Sequence, residues 1–360
     1  MQAALAADES LGEGIFRTCQ RSGALKAACE LATLLVDDGV CLLLLIAGWF
    51  GALYLRSQGA GGGGGGDDGG AGDLPGAAAA AAAAAYACYP EAIAECYLLF
   101  MSWASTETFV KLLVRRPRPA LGKQKELKDV MIPGDQFSFP SGHSLRAFAI
   151  ARVALNSAAL RAAGLGAPGG AAPYLLLGAG ASALSRIGLG RHTPLDVACG
   201  SLMGLAMGEL LAEPYVAQGT RWRYQLLCAS YFTAVGVAAA LSARARAFFG
   251  FVVPSQVAVH LCFATWGSWI YSFSRFARLG HHDFAACGLP QPEAGDDLGA
   301  AACAALSSAC LLLAAAHARG WWLAVVPVAL ASGVLALELL GQHHGVTADY
   351  GIAALLSKAR

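Results

Sequence analysis

From Val40 to Leu55 the chain runs without a charged residue and carries Trp49 and Tyr54 towards its end. Such a stretch fits a membrane helix with an aromatic interfacial belt. Further apolar stretches recur at Tyr89–Val110, whose Glu91, Glu95 and Glu107 place it inside a bundle rather than against lipid, at Leu145–Leu160, which carries Arg146 and Arg152, at Tyr174–Ser185 and Leu226–Leu241, then at Phe248–Tyr271, Leu298–Ala316 and Trp321–Leu340. Another helix is expected from about Pro194 to Leu211, and an interfacial or re-entrant segment at Val346–Leu356. Of 360 residues 56% are hydrophobic and only 14% charged, against about a quarter charged in soluble domains. The expected class is all-α, a polytopic membrane helical bundle, because helices satisfy their backbone groups internally in lipid.

The chain divides by composition. Residues 1–35 read as a cytosolic or interfacial region with little information, and their acidic start lacks the basic-then-apolar order of a signal peptide. A first span is expected over 36–58, where Asp37 and Asp38 stand ready to cap the helix start. Residues 59–85 are a glycine- and alanine-rich tract, expected to be a flexible linker. A core over 86–212 follows, and further spans without an assigned role fill 213–360. The eleven cysteines include no Cys-x-x-Cys pair and read as small buried hydrophobes rather than a disulfide framework.

Net charge is +1, so no global field points to nucleic acid. Charge is local instead. Lys111–Lys128 holds Lys111, Arg115, Arg116, Arg118, Lys123, Lys125 and Lys128 against Glu126 alone. Beyond it lies Phe139-Pro-Ser-Gly-His-Ser144, a turn opening a helix, with Pro140 expected at the first helical position. A helix N-terminus suits phosphate, and Gly142 lets backbone approach a ligand. Ser141 adds a hydroxyl, and His143 a group that titrates near neutral pH.

Three motifs stand in order: Lys111 with Arg118-Pro119, then Pro140-Ser141-Gly142-His143, then Ser185-Arg186 with His192 and Asp196. Together they resemble the signature of the type 2 phosphatidic acid phosphatase superfamily, K-x6-R-P, P-S-G-H and S-R-x5-H-x3-D, and every named position matches. The flanking KLLVRRPRP, FSFPSGHS and LSRIGLGRH look closest to the branch acting on presqualene and other polyisoprenoid diphosphates. The resemblance covers roughly residues 25–212. It implies a phosphatidic acid phosphatase type 2/haloperoxidase-like core and a lipid phosphate phosphatase that needs no metal or other cofactor.

The chemistry also follows from the residue types. His192 and Asp196 are four apart and share one face if both lie on a helix. The carboxylate then fixes the tautomer and leaves the other ring nitrogen nucleophilic. His143 is the candidate general acid, then base. Lys111, Arg118 and Arg186 would neutralise the equatorial phosphoryl oxygens, with Ser141 and the Gly142 amide completing the cradle. The resemblance implies the same roles. No acidic or histidine cluster outside this site has metal-ligand spacing.

Plainer readings stand beside these. A Glu107–Lys111 helical ion pair would explain both residues, and Arg115 and Arg116 would serve as interfacial anchors. Alternatively, Arg115 and Arg116 would hold the second phosphate of a diphosphate. Partial echoes at Ser274-Arg275 with His281, His282 and Asp283, and at His343-His344 with Asp349, read as chance likeness or a decayed duplicate. The expected partners are a lipid phosphate and the bilayer, in the endoplasmic reticulum or another endomembrane. The rivals are a phosphatidic acid phosphatase, a phosphotransferase and a non-catalytic lipid-binding protein. Because the motif helix ends by about Leu211, a chain ending near Pro214 is expected to keep its activity.

Overall fold

Gly200, Gly204 and Gly208 recur every four residues and so line one face of a helix. In the computed structural model that face receives the helix beginning at the Pro-Ser-Gly-His turn. A Cβ at Gly200 would stand 2.5 Å from the Ser141 carbonyl oxygen, and one at Gly204 would collide with the Leu145 carbonyl. At Gly208 it would lie 2.6 Å from Arg152 Cβ. Small residues at this spacing let two helix backbones approach closely, as membrane helices do without a hydrophobic drive between them.

The described residues are 2–48, 96–121, 134–160, 170–211 and 218–261, with gaps of one or two positions in all but 170–211, and a few isolated positions beyond. Among them the uninterrupted helices of seven residues or more are α1 (Gln2–Arg21), α2 (Gly23–Leu34), α3 (98–114), α4 (Gly142–Asn156), α5 (Ala172–Gly188), α6 (Pro194–Leu211), α7 (Gln218–Leu241) and α8 (Ala243–Phe249). No strand occurs among the described residues, only an isolated antiparallel bridge between Pro117 and Phe137. The closest partnership is α4 with α6, and α5 lies against α4. Among the described residues α6 is the one helix long and apolar enough to cross a membrane.

Several expectations need correcting. Residues 1–35 are not uninformative: α1 and α2 form a helical pair packed on α5, and α1 also reaches α6. The helix expected to end at Val110 continues to residue 114, because Lys111 pairs with Glu107 one turn earlier. The stretch read as one span from Phe248 is interrupted at its start. Gly250 takes a left-handed φ of 80° and caps α8, its N–H bonding back to Ala247 and Arg246 carbonyls. Finally, Pro140 is not the first helical residue. Ser141 is the N-cap, its hydroxyl accepting from Ser144 N, so the helix begins at Gly142. The glycine–alanine tract 59–85, Lys123, Lys125, Lys128, the histidines at 281, 282, 343 and 344, and the stretches beyond 313 lie outside the described residues.

Candidate active site

Thr193-Pro-Leu-Asp196 builds the start of α6. Asp196 N–H donates to Thr193 Oγ1 at 3.3 Å and Asp196 Oδ2 accepts from Thr193 N–H at 2.9 Å. This is a reciprocal capping box with aspartate in the position glutamate usually takes. It also accounts for the meeting of His192 with Asp196. His192 is not on the helix, as its spacing suggested, but in the turn before the cap. The carboxylate reaches back to it, and His192 Nδ1 lies 3.7 Å from Asp196 Oδ2. That is longer than the roughly 2.7–3.2 Å of a formed bond, a slack common before substrate tightens a site.

On its other edge His192 presents Nε2 to Arg118 Nη1, 3.5 Å away. A guanidinium only donates, so Nε2 carries the lone pair and the proton sits on Nδ1, facing Asp196. Burial pushes the His192 pKa down to about 3, helped by the positive charges of Arg118, Arg186 and Lys111 and opposed by the Asp196 carboxylate. The ring is therefore neutral at pH 7, with the Nε2 lone pair facing the cations.

His143 is held in the opposite sense. Arg146 Nη2 donates to its Nδ1 at 2.9 Å, which leaves the proton on Nε2. That Nε2 is buried without a hydrogen-bond partner among the described residues; the Asp37 carboxylate is 4.0 Å away. Arg146 is itself 1% exposed and donates to Val36 O and Glu107 Oε2. Its position on α4, one turn after His143, was the signal that could have revealed it.

The remaining cations converge on the same place. Lys111, 2% exposed, pairs with Glu107 at 2.5 Å and Asp135 at 3.4 Å. Arg118 donates to the Asp135 backbone carbonyl and to Asp135 Oδ1 at 3.0 Å. Arg186 donates through Nη1 to Thr33 on α2 at 3.3 Å, while its Nε is buried without a partner among the described residues. Arg191 is pulled below its usual range, first by burial and then by Arg118 beside it. Such a crowd of cations is short of negative charge.

The Glu107 carboxylate occupies the space a Cβ would need at Gly142. Gly142 is thus required for this close approach, and its neighbour is a carboxylate rather than open space. Ser141, fully buried, accepts from Ser144 Oγ at 2.9 Å and donates its backbone N–H to the Asp196 carbonyl at 3.0 Å. The structure thus brings His143, His192, Asp196, Lys111, Arg118, Ser141, Gly142 and Arg186 into one buried neighbourhood, with Ser141 serving as a cap. Asp8, Thr33, Glu107 and Asp135 as site partners have no counterpart in the three motifs.

Residues 77–216 match the family model of the PAP2 superfamily. No solved structure matches the chain. All three motifs lie inside the matched residues, and α1 and α2 lie outside them. A PAP2 match over these residues supports a phosphatase-type activity on phosphate esters.

Arg116 differs from both expectations made for it. Arg116 is 15% exposed and spends its guanidinium on Asp196 Oδ1 at 3.1 Å and Asp8 Oδ2 at 2.9 Å. Arg115, at a φ of 53°, stacks over the Phe248 ring at 4.5 Å. The Arg116 guanidinium does not lie open to a second phosphate and is no interfacial anchor, whereas Arg115 is exposed. Phe248 lies beyond the motif helix, so the later chain also braces the loop that carries Arg118.

Proposed function

We propose that this protein is a polytopic integral membrane phosphatase of endomembranes that hydrolyses a lipid phosphate or diphosphate ester, isoprenoid diphosphates favoured. The observation that carries the reading is a buried and a largely buried histidine within one cluster of cations, each meeting an arginine donor through a different ring nitrogen. His192 Nε2 attacks phosphorus as the bond to the ester oxygen breaks. His143 Nε2–H gives its proton to that departing oxygen, and Lys111, Arg118 and Arg186 neutralise the equatorial oxygens. Water then attacks the phosphohistidine, His143 takes its proton, and the P–N bond breaks to release phosphate. Asp196 faces the Nδ1 proton throughout, and Glu107 and Asp135 hold the cations until substrate competes for them. The groups set against the phosphoryl oxygens are already cationic, which supports turnover without a metal.

Preference for a diphosphate would draw on Arg191 next to Arg118. Loss of Arg116 should weaken monophosphate and diphosphate turnover alike, because its partners are Asp8 and Asp196. The test is phosphate release from farnesyl diphosphate and phosphatidic acid by purified protein in EDTA. Wild type should turn over, and His192→Ala should fall by at least about a thousandfold, as expected when a nucleophile is removed. Turnover in His192→Ala, or a strict Mg²⁺ requirement, would overturn the mechanism. Transfer of phosphate to an added alcohol in preference to water would favour the phosphotransferase.

A further inference from the structure

Asp8 lies on α1, outside the residues that match the PAP2 model, yet its carboxylate meets the site twice. Oδ1 accepts from the Leu195 backbone N–H at 2.7 Å, in the first turn of α6. Oδ2 accepts from Arg116 Nη2 at 2.9 Å. The same guanidinium donates through Nη1 to Asp196 Oδ1 at 3.1 Å. The opposite oxygen of Asp196 accepts from Thr193 N–H and faces His192. A chain of charge-assisted bonds therefore runs from α1 to Asp196, whose Oδ2 stands 3.7 Å from Nδ1 of the nucleophile. Asp8 and Arg116 are 10% and 15% exposed and Asp196 is fully buried, so solvent screens these charges little.

The charges decide what the chain does. Arg116 alone would neutralise Asp196. With Asp8 sharing the guanidinium, the three groups sum to minus one beside an imidazole that becomes cationic when its Nε2 bonds to phosphorus. The planar fork of arginine suits it to bridging two carboxylates at once.

We propose that Asp8 is a positioning residue for the reaction at His192, orienting Asp196 through Arg116 and preserving the negative charge that faces the imidazole. This inference rests on the phosphatase reading above. It assigns the amino-terminal helix a part in turnover.

The test compares wild type with Asp8→Asn, Asp8→Glu, Arg116→Ala and the double variant Asp8→Asn/Arg116→Ala, using phosphate release from farnesyl diphosphate. Glu13→Gln, which removes only an exposed ion pair with Arg17 on the same helix, is the control. Asp8→Asn should lower kcat about tenfold with KM held within about twofold, the scale of one charge-assisted hydrogen bond in the transition state. Asp8→Glu should recover most of that loss. The double variant should be no slower than Arg116→Ala, because the two residues act in series. Wild-type kcat in folded Asp8→Asn, a change in KM alone, or additive losses would each overturn the inference and leave the phosphatase reading standing. An inactive wild type would reject both. Should Asp8→Asn not fold, Arg116→Lys carries the same test. Lysine keeps the charge but loses the fork, so kcat should fall at constant KM, and wild-type kcat there would overturn the inference.

Discussion

His192 is the residue on which the site's acid–base behaviour turns. Its pKa is about 3 in the folded protein and 6.5 in the unfolded reference. Between these values the unfolded chain binds a proton that the native ring refuses. Stability from this group is therefore fully present above about pH 6.5 and is lost as pH falls towards 3. Melting temperature measured from pH 7 to pH 4 should decline in wild type and decline less steeply in His192→Gln, which has no such proton to bind. Parallel profiles would show that the imidazole is not held neutral by burial. A bound phosphate should act in the opposite direction: negative charge beside the ring raises its pKa, so saturating phosphate or vanadate should flatten the wild-type decline.

At the scale of elements, the site depends on how closely α4 and α6 approach. Ser141, the cap of α4, donates its backbone N–H to the Asp196 carbonyl, and the glycine face of α6 sets that distance. Gly204→Ala puts a methyl group onto the Leu145 carbonyl, and the backbone there cannot step aside without moving α4. A stability loss of about 1–3 kcal/mol is expected, the usual cost of overpacking, together with reduced kcat as His143 and His192 part. Gly178→Ala, where a Cβ meets open space, is the matching control and should be silent. An unchanged melting temperature and rate in Gly204→Ala would show that the helices are not held by contact at this face. The helices around the motifs were legible in the sequence because their ends carry chemistry: Thr193 to Asp196 reads as the start at Pro194, and Gly190 as the turn before it. The reach of Asp8 into the site was not legible. Its carboxylate meets Leu195 across almost the whole core, and sequence spacing carries no such long-range contact. The same holds for Arg116, whose basic surroundings suggested a phosphate ligand and whose actual partners are two carboxylates.

For the molecule as a whole, the question is whether the chain beyond α6 matters to the site. The motifs end at Asp196, which suggested that a chain ending near Pro214 would keep its activity. The contacts made by the segment after α7 point the other way. Phe248 lies under the Arg115 guanidinium, and a Cβ at Gly250 would stand 2.6 Å from Gln136 Nε2. Arg115 and Gln136 flank the Pro117–Phe137 bridge, and that bridge closes the loop in which Arg118 meets Asp135. Removing residues 215–360 therefore strips one wall from the loop that aims Arg118, the proposed phosphate ligand, although no motif residue is lost. The truncated protein should insert and keep α4–α6 yet lose at least about tenfold in kcat/KM, in proportion to a ligand freed to move. Phe248→Ala in the full chain isolates the cause. It should reproduce part of that loss, whereas Phe248→Tyr, which keeps an aromatic face for Arg115, should stay near wild type. Full specific activity in a monodisperse truncation would show that the loop around Arg118 holds its shape without the later chain.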